Sequence, residues 1–178
     1  MDGHHRTAGL TLIELMVTLA ILAVLTALAS PNWRDYQRSA ALTAATSELV
    51  GLLASARSEA LKRNIDVLLS PLAPGDWAQG WHLYVDADLS GDLSEGDTTL
   101  RTTLALNPEH LRLQTNVGPS IRYSGNGFAT WGGTLELRRT DLPSTQLHGI
   151  RRIIVSASGR VRSCTPSSEP DPNCKAPS

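Results

Sequence analysis

Gly9-Leu10-Thr11-Leu12-Ile13-Glu14-Leu15-Met16-Val17-Thr18-Leu19-Ala20-Ile21-Leu22-Ala23-Val24-Leu25-Thr26-Ala27-Leu28-Ala29-Ser30-Pro31 is the stretch whose reading decides the fold. Between Leu10 and Ala29 only Thr11, Glu14, Thr18 and Thr26 are not apolar. Twenty residues of helix cover about 30 Å, the hydrocarbon thickness of a bilayer, so the stretch can span a membrane. Glu14 is the exception inside it. A carboxylate within a span costs about 2–3 kcal/mol on insertion scales, so it needs a partner or a function. Before the span comes a short polar leader, Met1 to Ala8 with His4, His5 and Arg6, ending in Gly9. A secretory signal places its small-residue cleavage site after the apolar region, whereas Gly9 precedes it. Cutting there leaves the apolar helix on the mature chain.

With 178 residues, the chain keeps room beyond the span for one modest domain. A net charge of −1 and a pI near 6.5 give no global attraction to nucleic acid, so any such activity must rest on a local patch. The two cysteines, Cys164 and Cys174, lie in the tail. Outside the cytoplasm they would close a short disulfide loop, worth about 2–3 kcal/mol in the chain-entropy picture. As metal ligands they supply half of a tetrahedral shell, and no His lies in the tail to complete it.

Past Pro31 the pattern stays helical. Leu42, Ala45, Leu49, Leu52, Leu53, Ala56 and Ala60 recur at three-and-four spacing, with Glu48, Arg57, Ser58, Glu59 and Lys62 on the other side. Pro31 is expected to bend the helix by removing one hydrogen bond, and Asn64 to stop it, with Lys62 and Arg63 complementing the helix dipole. Thereafter the period is that of short strands, expected at residues 65–70, 80–86, 98–104, 111–115, 121–123, 134–139 and 150–157. Pro71, Pro74, Gly91, Pro108, Gly118-Pro119, Gly125, Gly127, Gly132-Gly133 and Pro143 read as breakers. The expected class is α+β: one long N-terminal helix, membrane-spanning in its first half and amphipathic in its second, packed on a C-terminal β-rich domain.

Gly9 to Leu15 resembles the prepilin peptidase site of type IV pilins and pseudopilins. The resemblance implies a type IV pilin-like fold, cytoplasmic-side cleavage after Gly9, N-methylation of the new terminus at Leu10 and assembly of the helix into a filament core with other pilins. Leu10 stands where Phe is most common, a change that keeps the apolar character. Cleavage would create a cationic amine four residues before Glu14, and in a helix bundle each charge lowers the desolvation cost of the other. The segments are then a leader at 1–9, a membrane and filament-core helix at 10–30, an amphipathic helix at 31–64, a β-rich domain at 65–163 and a disulfide-closed tail at 164–178. The chain would cross the inner membrane once, with its domain in the periplasm, and reach the pilus when assembled. Farther along, Gly80-Trp81-His82-Leu83-Tyr84-Val85-Asp86-Ala87-Asp88, an acid-rich loop and Thr99-Leu100-Arg101 resemble the GspH/FimT family of minor pilins and pseudopilins.

Two segments carry candidate chemistry. Asp86, Asp88, Ser90, Gly91, Asp92 and Asp97 fall at positions one, three, five, six, seven and twelve of a twelve-residue window, close to the spacing of an EF-hand calcium loop. Position twelve is Asp rather than Glu and the flanks read as strands, so a polar hairpin loop stands beside calcium as a reading, and no resident metal or cofactor is expected. Between Arg138 and Arg162, six arginines (Arg138, Arg139, Arg151, Arg152, Arg160, Arg162) face one acid, Asp141, a local excess of +5. Arginine forks suit phosphate oxygens, and phosphate contacts give affinity without base specificity. Gly159-Arg160-Val161-Arg162 resembles the Gly-Arg-x-Arg motif of the FimT branch, which implies binding of double-stranded DNA in natural transformation. Carried over, Arg160 and Arg162 are the phosphate pair, projecting to one side of an extended strand, and Gly159 permits the turn that presents them. Arg151, Arg152 and Lys175 extend the patch. Phe128 and Trp131 are expected in the core rather than as a stacking surface. His4, His5, His82, His110 and His148 accompany no nucleophile or carboxylate at a diagnostic spacing, so no enzyme is expected.

Overall fold

A computed structural model describes residues 11–177, without the side chains of residues 27–32. Gly9 and Leu10 lie outside the described residues, as does the side chain of Pro31, where a bend is expected. The chain divides into two units, Met1–Gln37 and Arg38–Ser178.

Helix α1 is assigned over Leu12–Arg63. In the first unit its start is capped by Thr11, whose Oγ1 accepts the backbone N–H of Glu14 at 3.3 Å, a Thr-x-x-Glu arrangement that satisfies one of the free donors at a helix N-terminus. Leu12–Thr26 is apolar and exposed along its whole length. So continuous an apolar surface calls for lipid or neighbouring helices around it.

In the second unit α1 belongs to the core. Leu42, Ala45, Leu49, Leu52, Leu53, Ala56 and Ala60 are all buried. Burial explains why Trp33–Arg63 also has the mean hydropathy of a membrane span: its apolar stripe is covered by protein. Helix α1 ends at Arg63, and Asn64 takes the left-handed conformation (φ 53°) that commonly terminates helices. Lys62 and Arg63 both pair with Glu59, at 3.2 and 2.9 Å.

Among the described residues, eight strands form two antiparallel sheets. β1 (Val67–Ala73), β2 (Asp76–Val85), β3 (Thr98–Thr102) and β5 (Ile121–Tyr123) make one, in the order β3-β2-β1-β5. β4 (Leu111–Thr115), β6 (Gly133–Arg139), β7 (Ile150–Val155) and β8 (Val161–Cys164) make the other, in the order β4-β6-β7-β8. Val67, Leu69, Trp81 and Leu83 from the first sheet join Leu135, Leu137, Ile153 and Val155 from the second and the α1 stripe in one hydrophobic cluster. Trp81, almost wholly buried, donates its indole N–H to the Trp77 carbonyl at 2.8 Å.

Pro71, expected to break a strand, lies inside β1. Its missing N–H is tolerated because β5 covers β1 only over Val67–Leu69, which leaves Pro71 at an edge, and the register with β2 shifts between Pro71 and Ala73. β8 is a separate strand that the breaker pattern did not delimit.

Each sheet has a cover on its outer face. The loop of residues 86–97 lies over the first, where Leu68, Tyr84 and Arg122 are cross-strand neighbours: Tyr84 donates its hydroxyl to the Gly91 carbonyl, and Arg122 reaches Asp86 at 3.4 Å. The tail beyond β8 lies over the second, held by the Cys164–Cys174 disulfide and by Arg152, which donates to the Cys174 carbonyl at 2.6 Å. These two covers decide which charged residues remain accessible.

Candidate nucleic-acid interface

Strand alternation in the second sheet sets Arg112, Glu136, Arg138, Arg152 and Arg162 on its outer face and Leu135, Leu137, Arg139, Arg151 and Ile153 on its inner one, because Arg112 pairs with Arg138, Glu136 with Arg152 and Ile154 with Arg162. Outer-face position alone does not mean access. Arg152 is 1% exposed beneath the tail, with Nε donating to Glu136 at 2.7 Å and a further ion pair to Glu169. Its guanidinium is held protonated by these carboxylates against the opposing effect of burial. The expectation that Arg152 contacts phosphate is therefore corrected: the tail covers it.

Two more of the six arginines are tied to acids. Arg138 pairs with the buried Glu136 at 2.8 Å. Arg139, 2% exposed, donates to both carboxylate oxygens of Asp141 and to Ser39 on α1 at 2.7 Å. Arg139 first, and then Arg38 at 2.8 Å, hold the Asp141 carboxyl well below the usual carboxylate range. Glu136 and Glu169 lie outside the window in which the excess of +5 was counted, so the accessible excess is smaller than the sequence suggested. Arg151 is half-buried and turned back on the backbone, donating to the carbonyls of His148 and Ile150.

What remains open is Arg160, Arg162 and Lys175. All three are exposed, and among the described residues none has an ion-pair partner. β8 begins at Val161, so Arg162 is a strand residue on the sheet edge and Arg160 closes the preceding turn rather than sharing the strand. Ser156 caps that turn by donating its backbone N–H to the Arg160 carbonyl at 3.0 Å. Gly159 has φ +77°, and a Cβ there would run into the Gly127 carbonyl oxygen, so no larger residue fits without moving the chain.

Arg160 also lines a groove of about 460 Å³ against α1, with Val50, Ala54, Arg57 and Leu61. Arg57 donates to the Ser158 carbonyl at 3.2 Å. It brings a cation to the same place, which sequence reading missed because helical spacing placed Arg57 on the solvent side. Arg112, exposed opposite Arg138, was missed for a simpler reason: it lies outside the basic window.

Phe128 and Trp131 are 56% and 64% exposed, which corrects their assignment to the core. Their loop is bonded to the turn before Arg160, Ala129 donating its N–H to the Ala157 carbonyl at 3.1 Å. The loop that carries the two exposed aromatics is thus tied to the turn that precedes Arg160.

The acidic loop gathers fewer ligands than its spacing offered. Oxygens of Asp86, Asp88 and Asp97 lie within 4.8 Å of one another. The Asp92 carboxylate is not in that group, and the Ser90 hydroxyl donates to the Asp92 carbonyl. Of the expected set of five, the three carboxylates of Asp86, Asp88 and Asp97 converge.

The family described as "Type II transport protein GspH" matches residues 45–159, well over half of the chain. The chain belongs to the GspH family of minor pilins and pseudopilins. Residues 4–30 of this GspH-family chain match the prokaryotic N-terminal methylation motif, which together with the apolar helix suggests membrane anchoring. Two curated fimbrial proteins of Pseudomonas aeruginosa are each 43% identical over 54 residues, 30% of this chain and 35% of theirs, so the chain spans about a third of the length of the curated relatives it matches. Among solved structures, the type IV minor pilin FimU of Pseudomonas aeruginosa superposes with a TM-score of 0.54 at 23% identity, covering 71% of this chain and 93% of that one. The minor pseudopilin EpsH of the Vibrio cholerae type 2 secretion system gives 0.53 at 16%, covering 71% and 98%. At such identities the likeness shows the type IV pilin fold.

Proposed function

We propose that this GspH-family chain is a minor pilin of a type IV pilus that binds extracellular double-stranded DNA for uptake in natural transformation and contributes to pilus assembly. The observation that carries the reading is the contrast among the arginines: Arg138, Arg139 and Arg152 are held by acids, whereas Arg160 and Arg162 stand unpaired and exposed at a sheet edge. Unpaired guanidiniums on a rigid turn and strand can take up phosphate without first breaking an ion pair. Lys175 adds a third cation from the tail.

The N-terminal half of the proposal is cleavage by prepilin peptidase after Gly9, methylation of Leu10 and pairing of the new amine with Glu14 of the same or a neighbouring subunit. The helix then anchors the chain once in the inner membrane, with its domain in the periplasm until assembly. A disulfide between Cys164 and Cys174 suits that compartment. No catalytic role is assigned.

The test is DNA retention by the detergent-solubilised full chain across a salt series, wild type against Arg160→Gln with Arg162→Gln. Wild-type affinity should fall steeply as salt rises, and the double variant should lose retention, its log–log salt slope reduced by about 1 for each arginine removed. Retention equal to wild type would refute the DNA reading. The second reading is a purely structural minor pilin of the tip complex, or a pseudopilin of a type II secretion system. The family's description and the likeness to EpsH favour it, and it predicts that the double variant leaves assembly and every binding property unchanged.

A further inference from the structure

The twelve residues between β2 and β3 fold so that three carboxylates converge: Asp86 at the end of β2, Asp88 two residues on, and Asp97 just before β3, with oxygens within 4.8 Å of one another. Convergence of acids has an internal explanation in part. Asp97 accepts the N–H groups of Ala87 and Ser94 at 2.9 and 2.8 Å, and Asp88 accepts that of Ser90 at 3.0 Å. Asp86 is different. Its side chain is 0% exposed; Oδ2 accepts from Gly91 and faces Arg122, but Oδ1 is buried with no hydrogen-bond partner. A buried carboxylate oxygen left without a donor is costly, and the loop gathers two more carboxylates beside Asp86. Gly91, at φ +87°, closes the loop; a Cβ there would meet the Arg122 guanidinium at 2.9 Å.

We propose that Asp86 Oδ1, Asp88 and Asp97 form a calcium site at the tip of the β2–β3 hairpin. The donor set is all oxygen and anionic, which selects a hard divalent cation. Three carboxylates on an irregular, partly exposed loop leave room for waters in the six- to eight-fold shell of calcium and lack the rigid octahedron magnesium requires. Arg122 already offsets part of the negative charge, so the affinity belongs to the weak range of extracellular modules, a dissociation constant of about 10⁻⁴ to 10⁻³ M. Bound calcium would fix the loop over Leu68, Tyr84 and Arg122. Unlike an EF-hand, this site makes no use of Asp92.

The experiment is calorimetric titration of the detergent-solubilised full chain, stripped with chelator, with calcium chloride, paired with thermal melts at matching concentrations. Asp88→Asn removes an exposed ligand without opening the core, and Asp92→Asn is the comparison. Expected are a saturable heat and a rise in Tm of about 3–6 °C at tenfold the dissociation constant. Asp92→Asn should keep both, and Asp88→Asn should bind about tenfold more weakly or not at all. Three results would overturn the proposal: no heat and no shift at millimolar calcium, an equal response to magnesium chloride, or undiminished binding by Asp88→Asn.

Discussion

Removing the Arg152 guanidinium would leave the buried Glu136 with Arg138 as its remaining counter-ion and release Glu169 and the Cys174 carbonyl, a loss of up to about 3–5 kcal/mol for a buried pair broken from one side. Removing that of Arg162, exposed and unpaired, should change stability by no more than about 0.5 kcal/mol. Denaturant unfolding of Arg152→Ala and Arg162→Ala separates the two roles: a lowered midpoint for the first and an unmoved one for the second. Equal losses would mean that the arginines were sorted wrongly. Both residues share the outer face only through the β7–β8 register, which pairs Ile154 with Arg162 and Arg152 with Cys164 and is not legible in the sequence. Nor is the fold of the tail across Arg152, because no local pattern tells a covered outward side chain from an open one. Phe128 and Trp131 were misread for the converse reason: aromatic residues are assigned to the interior by type, and only the path of the loop at residues 124–132 exposes them.

At the scale of elements, the tail is the part whose contribution can be measured directly. It is held on the outer face of the second sheet by one disulfide and the Arg152 contacts, and is folded on itself by the Asp171 carboxylate, which accepts the N–H groups of Ser167 and Asn173. Opening the loop between Cys164 and Cys174 should lower stability by about 2–3 kcal/mol. Amide exchange should then rise across residues 165–177 and reach β7 and β8, while β1 and β2 keep their protection. Unchanged exchange in the tail after reduction would show that the disulfide is not what holds it. Elements with strong periodicity were readable in advance: the buried stripe of α1, its stop at Asn64, and β4 and β5. The end of β1 was not, since Pro71 is a breaker only where both neighbours demand an N–H, and the strand expected at 65–70 runs on to Ala73. The six-to-one count of arginines to acids overstated the patch because Glu136 and Glu169, which neutralise Arg138 and Arg152, lie outside the counted window and reach it through sheet register and tail path.

Across the whole molecule, an apolar helix with one carboxylate near its start and a domain built on the second half of that helix describe a subunit made to be assembled. Leu12–Thr26 presents apolar side chains on every side, which neither a cleaved signal nor a core helix requires of a mature protein. The proposed DNA and calcium sites both belong to the domain alone, whereas the filament reading depends on whether this helix survives processing. Mass spectrometry of the N-terminal peptide of the protein recovered from membranes of cells that contain prepilin peptidase tests this directly. The account predicts a mature chain that begins with N-methylated Leu10 and retains the helix. A first residue beyond Ser30, or an intact Met1 to Gly9, would contradict it.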